Sequence, residues 1–147
     1  MICRLGSPRR QLLNRLAETA ADAETLAANL ARHTEMCSYP TIRAGLEEVA
    51  ASETAQANAM RQLLQQNGAW PKLSMRPSHE GSSNWERLRN DLALQVKILR
   101  ALHSQFSEWS GIDPQIAERL RESAAEEDRN IGQLRDLTLK CDPQALD

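Results

Sequence analysis

Apolar residues recur along this chain at alternating spacings of four and three, the repeat that keeps one face of an α-helix turned toward a bundle core. Four stretches carry such a stripe. The first runs Leu12, Leu16, Thr19, Ala23, Leu26, Leu30, His33, and the second Ile42, Leu46, Val49, Glu53, Gln56, Met60, Leu63. The third runs Leu88, Leu92, Gln95, Leu99, Leu102, Phe106, Trp109, and the fourth Ile116, Leu120, Ser123, Glu127, Asn130, Leu134, Leu137. Helix-start signals bound them: Ser7-Pro8 and Asp113-Pro114 join a capping side chain to a proline at the first helical position, Pro40 opens the second stretch, and Ser83-Asn84-Trp85-Glu86 reads as a capping box. The predicted helices cover 8–36, 40–67, 84–110 and 114–139. Each stripe turns polar near its middle, so a bundle built on these faces holds one polar layer inside an apolar core.

The connections set the topology. Helices 1–2 and 3–4 are joined through Cys37-Ser38-Tyr39 and Gly111-Ile112-Asp113, which forces antiparallel neighbours. Between helices 2 and 3 lies a Pro-, Gly- and Ser-rich segment, 68–83. Its sixteen residues reach roughly 53–58 Å when extended, against about 40 Å for a helix of this length. It can therefore run the length of the bundle and start helix 3 at the opposite end. A surface loop in an up-down-up-down bundle is the alternative, but a structureless segment this long is unusual in a compact domain. The predicted fold is all-α: one domain over 1–147, a four-helix bundle of two antiparallel hairpins joined by a long crossover.

Composition supports helix over sheet: alanine and leucine supply 20 residues each of 147, valine plus isoleucine eight, and the aromatics five. Hydrophobic residues at 41%, charged residues at 26% and a net charge of −2 fit a folded chain without the basic footprint of a nucleic-acid binder. No stretch reaches the ~18 apolar residues of a membrane span, and the opening residues contain no apolar signal core, so no membrane role and a cytoplasmic location are expected. Cys3, Cys37 and Cys141 are too few and scattered for a disulfide framework or a paired metal motif.

The chain also repeats itself. A shift of 74 lays helix 2 on helix 4, with Pro40 on Pro114, Ile42 on Ile116, Leu46 on Leu120, Glu48 on Glu122, Glu53 on Glu127, Arg61 on Arg135 and Leu63 on Leu137. A shift of 76 lays helix 1 on helix 3, with Leu12 on Leu88, Leu16 on Leu92, Thr19 on Gln95 and Leu26 on Leu102. Heptads alone would produce some of these coincidences. The start proline and the mid-helix glutamate are the discriminating ones.

Helix order, crossover, stripe register and the paired glutamates together resemble the ferritin-like superfamily, and within it the rubrerythrin-like bundles, over roughly residues 8–139. In that family helices 1 and 3 each offer a central glutamate, and helices 2 and 4 each offer Glu-x-x-His, so that two iron or manganese ions are held between them. The matching positions here are Thr19 and Gln95, then Glu53-Thr54-Ala55-Gln56 and Glu127-Asp128-Arg129-Asn130. Only Glu53 and Glu127 keep an ionisable ligand; Thr19, Gln56, Gln95 and Asn130 are neutral and poor donors to such ions. The resemblance thus implies a degenerate di-metal site, with no bound metal or other cofactor and no catalytic residue. Facing carboxylates in a core without a lysine or arginine on any stripe should have raised pKa values, at least one of them protonated, with Gln56, Gln95 and Asn130 hydrogen-bonding to the acids.

Rotating helices 1 and 3 by about 100° would bring Glu18 and Asp91 inward as extra acids, at the cost of exposing Leu16 or Leu92. His33, His103 and His79 lack the spacing of ligands and are expected at the surface or the bundle ends. Trp85, Trp109 and Trp70 are expected to close those ends, the alternative being a partner-facing patch. Cys37 and Cys141 should fall at the same end, as inert thiols or as a redox pair. The small faces at Ala20, Ala27 and Ala28, and at Ala50, Ala57 and Ala59, suit tight intrachain packing or a homodimer. The resulting expectation is a structural or protein-interaction module; the alternative is a residual iron or manganese protein with oxidase, peroxidase or iron-handling activity.

Overall fold

The structure, a computed structural model, describes residues 6–72 and 81–142; the middle of the crossover with His79, and Cys3, lie outside the described residues. Four helices follow one another: α1 (Pro8–Met36), α2 (Pro40–Gln66), α3 (Asn84–Trp109) and α4 (Pro114–Lys140). Their ends obey the local chemistry. Ser7 Oγ accepts from Arg10 N at 3.2 Å, and Asp113 Oδ1 accepts from Gln115 N at 3.2 Å and Ile116 N at 3.3 Å, so side-chain oxygens occupy amides that have no helical partner. At α3 the Ser83 hydroxyl accepts from Glu86 N, while the Glu86 carboxylate reaches one residue further back than a capping box requires, to Ser82 N at 2.8 Å. Helix α2 closes in a Schellman motif: Ala69 N donates to Leu64 O and Gly68 N to Gln65 O. Gly68 adopts φ 72°, a conformation that glycine reaches without a Cβ penalty.

Neighbouring pairs are α1 with α2, α3 with α4, α1 with α3, and α2 with α4, leaving α1–α4 and α2–α3 on the diagonals. The ion pairs show that the α1–α3 contact is antiparallel. Arg15 near the start of α1 pairs with Glu108 near the end of α3, and His33 near the end of α1 meets Asp91 near the start of α3. All adjacent helices are therefore antiparallel, and α2 and α3 run parallel, as only a full-length crossover allows. The crossover sets out in that direction: Lys72 N donates to Ala17 O at 3.2 Å, and Lys72 Nζ pairs with Glu18 at 3.0 Å.

The core is a leucine-rich column with Leu16, Leu26, Leu30, Leu46, Leu64, Leu88, Leu102, Leu120 and Leu134 all buried. Helix α1 buries its predicted stripe entire. On the other helices the buried face drifts. Ala57 and Leu64 are buried on α2 while Gln56 and Leu63 are half-buried, and Ala124 replaces Ser123 on α4. Because 3.6 residues per turn do not divide into a seven-residue repeat, an almost straight helix brings the adjacent position inward after two or three turns. On α3 the drift has a second cause. Asp91, Ile98 and Gln105 are buried, whereas the predicted Leu92, Leu99 and Phe106 only pack against the core's margin, since Asp91 and Gln105 are drawn to polar partners on α1. No described helix is long and apolar enough to cross a membrane.

Candidate functional site

The polar layer centres on Glu53 of α2 and Glu127 of α4, both 0% exposed. Glu53 Oε1 accepts from Gln95 Nε2 of α3 at 2.9 Å and from Asn130 Nδ2 of α4 at 3.0 Å. Asn130 Nδ2 also donates to Ser52 Oγ at 2.9 Å, and Ser52 donates to Glu126 Oε1 at 3.1 Å. A polar chain thus leads from the buried acid to the surface, where Arg129 pairs with Glu126. Desolvation, first, then the hydrogen bond to Glu53 and its negative charge, push the Glu127 carboxyl from 4.5 up to about 10. A carboxyl shifted that far stays a neutral acid at neutral pH. The two buried acids are like groups that cannot both ionise in a dry core.

Why these two meet follows from the duplication. Ser52 contacts Glu126 and Glu53 contacts Glu127, in each case residues 74 apart. An antiparallel α2–α4 pair related by an internal two-fold must bring together the residues lying on the axis. The repeat alone implies this meeting and extends it to Ser52 and Glu126, which lie off the stripes.

Equivalent residues away from the axis are symmetric but not adjacent, and this separates the other expected members. Thr19 does not join the layer. Its hydroxyl accepts from Gln105 Nε2 at 2.8 Å and donates to Arg15 O at 3.1 Å. Gln105 lies ten residues beyond Gln95 on α3, about 15 Å along the axis. Gln56 also stays out of the layer and does not bond to the acids; it is half-buried and lines a groove between α2 and α4 with Met60, Leu63, Leu120, Glu126 and Arg129. Of the six positions, the structure therefore gathers Glu53, Gln95, Glu127 and Asn130.

The rotated-helix alternative is half realised. Asp91 is buried, but Glu18 is exposed and paired with Lys72, so the four acids do not converge. Asp91 instead meets His33, whose Nδ1 lies 2.5 Å from Asp91 Oδ2 in a site where both side chains are buried. Burial raises the Asp91 carboxyl, against the hydrogen bond and charge of His33 and the charge of Arg32. His33 thus lies in the last turn of α1, toward the bundle end as one half of the expectation had it, but buried rather than at the surface; sequence spacing does not reveal a partner 58 residues away on another helix. His103 is exposed, as expected. Trp109 closes one bundle end, fully buried beneath the Arg9 guanidinium, and Trp85 is half-buried with Arg89 over its ring. Trp70, expected to pack, is 69% exposed. Ala20, Ala27, Ala50 and Ala57 are buried within the chain, whereas Ala28 and Ala59 are exposed.

A di-iron or di-manganese centre in such a bundle is held by about four carboxylates and two imidazoles. Here two carboxyls and two amides converge, and amide hydrogens already occupy Glu53 Oε1. Among the described residues no group of three or more histidine, cysteine, aspartate or glutamate side chains is placed to hold a metal ion.

No protein-family model matches the sequence, and no curated protein does. Among solved structures the chain is similar to an archaeal Dps homologue from Halobacterium salinarum, with a TM-score of 0.78 and 18% sequence identity over 88% of this chain and 79% of that one. A likeness at that identity is one of fold. The chain is an all-α four-helix bundle of the ferritin-like fold.

Proposed function

We propose that this is a ferritin-like bundle in which a hydrogen-bonded, proton-sharing layer occupies the place of a di-metal centre, and that it works as a non-catalytic structural or protein-interaction module in the cytoplasm. The observation that carries this reading is the double amide donation to Glu53 Oε1. An N–H directed at a carboxylate oxygen fills the lone pair that a cation would need and places positive charge where the cation would sit. The proton held by Glu127 supports it further, because bound metal requires the deprotonated acid. Such a module acts through its surface, by a homodimer across a helix face or a protein partner at the exposed Trp70.

A second reading has an observation of its own. Glu53 Oε2, Gln95 Oε1 and both Glu127 oxygens are buried without a hydrogen-bond donor among the described residues. Four such oxygens also describe a residual iron or manganese site. Metal analysis of protein purified from medium supplemented with both metals separates the two readings. The proposal expects well under one ion per chain and no rise in melting temperature on adding Fe2+ or Mn2+. Two tightly held ions per chain would overturn it.

A further inference from the structure

Cys37 and Cys141 are the C-cap residues of α1 and α4, diagonal helices that end at the same end of the bundle. Their surroundings are alike. Cys37 N donates to Thr34 O at 3.2 Å and Cys141 N to Thr138 O at 3.0 Å, and each threonine hydroxyl returns to the carbonyl four residues earlier. Cys37 belongs to the buried core cluster and Cys141 packs against that same cluster. Tyr39 neighbours both: its carbonyl accepts from the Cys37 thiol at 3.9 Å, and the residue lines a crevice of about 230 Å³ together with Ile42, Trp85 and Cys141.

We infer that Cys37 and Cys141 form a redox-active pair that closes to an intrachain disulfide under peroxide, tying the α1–α2 turn to the end of α4. Both thiols are free in the structure, Cys37 buried and Cys141 half-buried, so an oxidant reaches Cys141 first. The Cys141 thiolate attacks one peroxide oxygen; the O–O bond breaks, hydroxide leaves and is protonated to water, and Cys141 becomes a sulfenic acid. The Cys37 sulfur then attacks the Cys141 sulfur. The S–S bond forms, the S–O bond breaks, and the departing hydroxide takes the Cys37 proton as water. Two thiols and one hydrogen peroxide give one disulfide and two waters, with two electrons passing from sulfur to oxygen.

The pair is slow at neutral pH by construction. Burial, with the neighbouring Cys37 charge second, raises the Cys141 thiol above its ordinary value, so the reactive thiolate is scarce and becomes more abundant in alkali. The test uses the full chain carrying Cys3→Ser, treated with hydrogen peroxide at pH 7 and pH 9 and mapped by mass spectrometry without reduction. The expected result is a monomer lighter by two hydrogens, with the Cys37 and Cys141 peptides cross-linked, forming at least about tenfold faster at pH 9 than at pH 7. Adding Cys141→Ser should abolish the mass loss. Persistently free thiols, bridges only between chains, or Cys141 advancing to sulfinic acid without pairing would overturn the inference.

Discussion

Replacing Glu127 with glutamine should stabilise the protein at neutral pH, although it alters a fully buried side chain of the core. In the folded chain the Glu127 carboxyl titrates at about 10, against 4.5 for an unburied one. Between those values the native state keeps a proton that the unfolded state has released. Stability is therefore fully present below pH 4.5 and is lost as pH rises toward about 10, by about 1.4 kcal/mol per pH unit. By pH 7 the loss amounts to about 3 kcal/mol, and at pH 5 it is under about 1 kcal/mol. Glutamine has the shape of the protonated acid, can donate to Glu53 and does not titrate. Urea denaturation of both proteins from pH 5 to pH 8 should show Glu127→Gln ahead by about 3 kcal/mol at pH 7, with the gap narrowing toward zero at pH 5. A difference that does not change with pH, or a variant that is weaker at pH 7, would refute a proton on Glu127.

Three further outcomes follow from the packing. His33→Ala leaves Asp91 buried without its partner and should cost about 3–5 kcal/mol in urea denaturation, while Asp91→Asn, which keeps a hydrogen-bonding group against His33, should cost clearly less. Gly132 lies inside α4 with nothing within 4 Å of an added Cβ, so Gly132→Ala should add about 0.5–1 kcal/mol, visible as a rise of a few degrees in melting temperature. At Gly45 an added Cβ would stand 2.7 Å from Leu137 Cδ2, and Gly45→Ala should lose about 1 kcal/mol through overpacking despite the same helix propensity gain.

Helix existence and extent were legible because caps and prolines are local: each predicted boundary lies within a residue of the observed one. The crossover topology was legible from length alone. Within the site, Glu53, Glu127, Gln95 and Asn130 were found by periodicity and repeat, since the two glutamates lie on the internal axis. Thr19 and Gln56 were misplaced for different reasons. Thr19 is the repeat-mate of Gln95, but mates far from the axis stand on opposite sides of it. Gln56 failed because the core face of α2 moves to Ala57 as the helix drifts from a strict heptad. The His33–Asp91 and Thr19–Gln105 pairs depend on how α1 and α3 slide past one another, which no local pattern encodes.

The central claim of the proposed function is that the buried layer holds a proton on Glu127 beside Glu53. Carboxyl carbon shifts of 13C-labelled glutamate, followed from pH 4 to pH 11 in metal-free protein and assigned with Glu127→Gln, test it directly. The account predicts one buried carboxyl, Glu127, still neutral at pH 7 and titrating near 10. Two ionised carboxylates at pH 7 in the absence of any bound cation would contradict it.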